Sequence, residues 1–191
     1  MKKSTIILLA VAAVLVLFCW FGYNGLVSKE EKVQSAWAQV ENVYQRRADL
    51  IPNLVATVKG YAAHENETFL AVTNARNNAT GIKVENLSQT ELAKFQQAQD
   101  GLSQALGRLI AISEAYPDLK ASNNFQDLQA QLEGSENRIA VERNKFNEAV
   151  RAYNVSTRRF PTNILASIFG FEQKGYFSAT EGADIAPKVE F

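Results

Sequence analysis

The sequence predicts an all-α protein: an N-terminal transmembrane helix, then an elongated antiparallel bundle of three long helices, plus a short C-terminal helix. Three observations carry this. Residues 4–28, STIILLAVAAVLVLFCWFGYNGLVS, contain no charged side chain. Apolar residues then recur at steps of three and four over most of 33–160. Prolines and turn residues interrupt the pattern at few places, so the segments between them are long. The implied layout is a short cytoplasmic N-terminus and transmembrane anchor over 1–28, a helical bundle over 29–171 and an extended tail over 172–191.

The anchor comes first. Its apolar heart, Ile6 to Tyr23, fits a bilayer-spanning helix, which needs about 20 residues at 1.5 Å each. Contact with lipid is expected through residues 6–27. A cleaved signal peptide would have an apolar region of about 7–15 residues ending at a small-residue site. Here Trp20, Phe21 and Tyr23 occupy that exit, so the segment reads as a retained anchor. A lipoprotein site fails because Phe18 stands before Cys19. Lys2 and Lys3 favour a cytoplasmic amino terminus, with everything after Ser28 outside the cytoplasm, at the cell inner membrane. The flank KEEK is charge-balanced and adds nothing to that orientation.

In the first long helix the stripe runs Val33, Trp37, Val40, Tyr44, Arg47, Ile51, Leu54 and Val58. Its phase is the same on both sides of Pro52, so the proline is expected to kink one helix, which continues through Phe69 and Val72 to about Asn78. Turn residues follow in NNATGIKVENLS. Ser88 and Glu91 form a capping box for a second helix that Pro117 stops. The third carries Phe125, Leu132, Ile139, Phe146 and Tyr153 and ends at Pro161. Such lengths imply coiled-coil-like packing. With three passes the first and third helices run parallel, which puts Val33–Asp49 beside the start of the third.

Ile164–Phe171, ILASIFGF, is too short to span a membrane and too apolar for a free loop. It covers the bundle end, pairs with another copy or lies in the membrane interface; packing on its own bundle is preferred. Beyond it the low apolar content predicts an extended or flexible tail.

Composition and chemistry narrow the function. Lysine plus arginine and aspartate plus glutamate each number 20, so the net charge is zero and no global field favours nucleic acid. Cys19 is the only cysteine, which excludes a disulfide framework or a cysteine metal site within one chain. His64-Glu65 begins like a zinc peptidase motif, but HENET places Thr68 where the second histidine belongs, and there is no other histidine. A helical di-iron site needs more histidines as well. No serine or cysteine nucleophile has a recognisable base, and no phosphate-cradling glycine loop occurs. Catalytic, metal and cofactor-binding residues are therefore all predicted to be absent, leaving a hydrolase using His64 and Glu65 as a distant third reading.

Arg47 and Glu142 break the apolar faces of their helices. Buried charge is costly unless paired, so a cross-helix contact between Arg47 and a carboxylate is expected. The doublets Arg46-Arg47 and Arg158-Arg159 fall short of the basic clusters that bind lipid phosphates.

Two segments, QVENVYQRRADLIPNLVATVKGYAAHE and RNKFNEAVRAYNVSTRRFPTNILASIFGF, closely resemble the signature blocks of the LemA family, and the terminal PKVEF fits as well. The resemblance implies a bacterial or archaeal membrane-anchored helical bundle with no established catalytic activity. Candidate structural or interaction residues in the blocks are Arg46, Arg47, Asp49, Pro52 and Asn53 in the first. In the second they are Tyr153, Asn154, Phe160, Pro161, Ile168 and Phe169. The expected function is a non-enzymatic scaffold or interaction module of the cell envelope that forms a homo-oligomer and has an envelope protein as a further partner. The alternative is an envelope lipid or ligand sensor.

Overall fold

A computed structural model describes residues 3–178. All regular structure among them is helical: α1 (Lys3–Tyr61), α2 (Asn66–Gly81), α3 (Gln89–Ile112), α4 (Pro117–Lys120), α5 (Asn123–Arg158) and α6 (Thr162–Phe169). A short 3-10 turn, Ser113–Ala115, joins α3 to α4. The all-α class, the long apolar amino-terminal helix and the short last helix are as the sequence predicts.

α1 runs for 59 residues without a break from the apolar span into the bundle. It is the one described helix long and apolar enough to cross a membrane, and that apolar window buries nothing in the protein. Side chains from Ile6 to Leu17 are exposed, Leu26 is the first buried one, and from Val33 onward one stripe is buried. Pro52 lies inside α1. Its ring removes the N–H that would bond to the carbonyl four residues back, that of Ala48. Arg76 Nε of α2 donates to that carbonyl at 2.8 Å. The helix thus passes the proline with its freed acceptor satisfied.

One boundary differs from expectation. The first long helix does not continue to Asn78; it stops at Tyr61, and the four residues Ala62–Glu65 reverse the chain. α2 then packs back along α1, with Phe69 and Val72 in the same core as Ile51, Leu54 and Val58. This extra pass makes a four-helix up-and-down bundle of α1, α2, α3 and α5. It also inverts the last long helix. α1 and α5 are antiparallel, pairing Lys29 with Ser156 and Arg47 with Glu136, so Val33 packs near Tyr153 at the end of α5, not at its start.

Ser88 caps α3 as predicted, its Oγ accepting the Glu91 N–H at 3.3 Å, while Glu91 reaches back to the Asn86 N–H at 3.0 Å. Two main clusters fill the bundle. The distal one, away from the span, gathers Leu54, Val58, Phe69, Leu106, Leu109 and Phe125. The proximal one gathers Trp37, Tyr44, Phe95, Phe146, Tyr153 and Phe177. A third small cluster, Leu26 with Leu165 and Ala166, holds α6 against α1. Of the expected tail, 172–178 has no helix and lies on the bundle; 179–191, with PKVEF, lies outside the described residues.

Candidate functional site

The boundary between the two main clusters is a polar layer. On α1 Arg47 falls between Tyr44 and Ile51, on α3 Gln99 between Phe95 and Leu102, and on α5 Glu136 between Leu132 and Ile139. Arg47 is only 1% exposed. Its guanidinium donates to Glu136 Oε1 at 2.6 Å, to Ser103 Oγ at 2.9 Å and to Gln99 Oε1. Gln99 Nε2 in turn donates to the Ala79 carbonyl in the last turn of α2. One buried charge therefore ties all four helices in a single register. The carboxylate partner is Glu136; Glu142 pairs instead with Lys145 of its own helix at 2.8 Å. Burial pushes the Tyr44 phenol above its ordinary value, opposed by the nearby Arg143 and Arg47 charges.

A second polar construction holds residues 174–178 in the groove between α3 and α5. Asn154 and Asn147 of α5 each form a two-bond pair with the backbone N–H and C=O of one residue, Lys174 (2.8 and 2.9 Å) and Phe177 (3.0 and 3.0 Å). Gln89 and Gln96 of α3 do the same for Tyr176 and Ser178. The side-chain amides act on these four residues as the neighbouring strands would in a sheet, while the Gly175 N–H donates to the Leu87 carbonyl at 2.8 Å. Phe177 inserts between Trp37 and Phe146, with centroids at 6.0 and 5.5 Å, and Arg143 lies 4.7 Å from its ring centre. Gly175 passes so close to α3 that a Cβ there would sit 2.6 Å from Gln89 Cα. These clamps escape a reading of apolar stripes. The signal for them is the seven-residue spacing of Gln89 and Gln96, and of Asn147 and Asn154, which puts each pair on one helix face.

The sequence-predicted residues fall into separate places. Arg47 and Asn154 are buried and bonded as above. Arg46, Asp49, Pro52 and Asn53 are on the exposed side of α1, Asp49 accepting a hydrogen bond from Gln45 at 2.8 Å. Phe160 and Pro161 form the corner before α6, and their peptide bond is cis. Ile168 and Phe169 are exposed beside the span, and the Phe169 ring meets Tyr23 edge-on at 4.9 Å. His64 is exposed in the reversal; Glu65 accepts from Tyr116 Oη at 3.4 Å. Among the described residues no group of three or more histidine, cysteine or acidic side chains is placed to hold a metal.

Tyr153 is fully buried, and its hydroxyl has no hydrogen-bond partner among the described residues. Burial, helped by Glu30 and Glu172, raises its pKa to about 12. Between the unfolded value near 10 and this one the folded state retains a proton the unfolded chain has lost, so this group's stability contribution declines as pH rises through that window. Tyr153→Phe is expected to flatten the decline in denaturation curves taken from pH 9 to 12, leaving the share of Tyr44, whose raised phenol acts with the same sign. At neutral pH it should be neutral or stabilising by about 1 kcal/mol.

The profile of the LemA family matches residues 36–191, which takes in the polar layer, the clamps and α6. The chain belongs to the LemA family. The apolar span precedes the LemA match. Magnetosome protein MamQ of Magnetospirillum gryphiswaldense is 30% identical over 189 aligned residues, covering 87% of this chain and 70% of the relative. Magnetosome protein MamQ 1 of Paramagnetospirillum magneticum is also 30% identical, over 85% of this chain and 66% of its own length. Protein LemA of Metamycoplasma hominis is 25% identical over 83% and 69%. The chain thus spans about two thirds of these relatives' lengths.

Proposed function

We propose that this LemA-family protein is a non-catalytic, membrane-anchored interaction module whose bundle stands on the extracytoplasmic side of the cell inner membrane and self-associates. The observation that carries this reading is α1 itself. One unbroken helix joins span to bundle, so the domain has no hinge at the membrane and is held at a defined height and rotation. A rigidly presented surface suits assembly with a second copy or an envelope protein. Crosslinking in intact membranes tests the assembly: discrete crosslinked species support it, and a strictly monomeric protein with no crosslinked partner overturns it.

A second reading, a sensor of lipid, is favoured by α6, which leaves Ile164, Ile168 and Phe169 exposed next to Trp20 and Tyr23. The double change Ile168→Asp and Phe169→Asp separates the possibilities. A folded protein whose α6 becomes accessible to water-borne quenchers supports lipid contact, whereas loss of folding assigns those side chains to packing.

A further inference from the structure

Where α1 leaves the membrane, it forms an open groove of about 730 Å³ with α5 and the start of α6. Its walls are of two kinds. On the membrane side Phe21 and Gly25 offer apolar surface, and Gly25 has open space where a side chain would project. Because α5 runs towards the membrane, Arg159 lies nearest it, about level with Gly25; Lys29 follows beside Ser156, and Arg151 and the one carboxylate, Glu148, stand about one and two turns further out. Lys29 Nζ donates to the Ser156 hydroxyl, and neither Arg151 nor Arg159 has a side-chain hydrogen bond or ion pair among the described residues. Among the described residues the groove therefore carries net positive charge.

Depth fixes what meets that charge. Headgroups add roughly 5–7 Å on each side of a hydrocarbon core of about 30 Å. With Tyr23 at the edge of the core, Lys29 lies six residues further along α1, about 9 Å above it, and its flexible stem lets the ammonium reach down into the headgroup layer. The apolar part of the groove is continuous with the span below. We infer that this groove binds one anionic glycerophospholipid, its phosphate held between Lys29 and Arg159, with Arg151 adding positive potential from further out and an acyl chain lying along Gly25 towards the bilayer. The inference rests on the membrane placement proposed above.

Native mass spectrometry of the full chain in detergent tests it, with equal amounts of phosphatidylglycerol and phosphatidylcholine added. Phosphatidylglycerol is expected to be retained about tenfold more, and the double variant Arg151→Gln, Arg159→Gln to lose roughly tenfold or more of that retention. Gly25→Phe, which fills the groove without meeting another atom at Cβ, should lose it equally while the helical melting curve stays unchanged. Excess inorganic phosphate should not displace the lipid. Equal retention of the two lipids, wild-type retention in the variants or displacement by phosphate would each overturn the inference. So would a dimer, independent of lipid, that Gly25→Phe dissociates, because it assigns the groove to a second copy. A chain that fails to pellet with membranes refutes the anchored reading instead; a membrane-integrated chain without lipid preference refutes only this one.

Discussion

Arg47→Ala is expected to destabilise the bundle by about 3–5 kcal/mol, the loss typical of emptying a large buried site and orphaning a buried hydrogen-bond partner together. The change strips Gln99 Oε1 and Ser103 Oγ of their donor, leaves a void at the junction of the two core clusters, and unties α1 from α3 and α5 together. For a chain of this size that corresponds to a drop in thermal midpoint of roughly 10 °C. Glu136→Gln should cost less, about 1–2 kcal/mol: the buried Arg47 charge loses its counter-ion, but the new amide oxygen can still accept and the site, 43% exposed, is open to water. The asymmetry is the informative result: equal losses from the two changes, or a midpoint for Arg47→Ala within error of wild type, would refute Arg47 as the common tie.

The second large effect concerns the docked segment. Phe177→Ala removes a ring packed against Trp37, Phe95 and Phe146, a truncation that costs about 3–5 kcal/mol in a core. Here the four-helix core remains when the segment leaves, so the observed loss stops at the free energy of undocking. The expected readout is therefore local: fast amide exchange and early proteolysis at 172–178, with the helices protected. Gly175→Ala should act the same way for a different reason, since its Cβ would strike the backbone of Gln89 and no side-chain rotation relieves that contact. Unchanged protection in both variants would mean the amide pairs alone hold the segment.

Much of this architecture is legible in the chain, and the misses have definable causes. The span needs only an uncharged apolar run, and the helix faces need only their three-four spacing, so α1, α3 and α5 could be read directly. Arg47 on an apolar face announces a buried partner, but Glu136 rather than Glu142 supplies it, because helix register is set by the whole bundle and not by the partner's own stripe. The reversal at Ala62–Glu65 carries neither glycine nor proline, and Val58, Phe69 and Val72 face the core on both sides of it. Periodicity alone cannot distinguish a helix that continues from one that folds back in phase. Pro52, the stronger local signal, marks no break because Arg76 from the unforeseen α2 takes up the freed carbonyl. The docked segment was unreadable because its clamps grip main chain, which leaves no mark in the segment's own side-chain pattern.

The most direct measurement is labelling with a membrane-impermeant maleimide in intact cells, using Cys19→Ser combined with Gln34→Cys, an exposed position at the base of the bundle. An anchored protein with its bundle outside the cytoplasm predicts full labelling before lysis, on a chain recovered entirely with the membranes. Labelling only after permeabilisation, or a chain recovered in the soluble fraction, would contradict it.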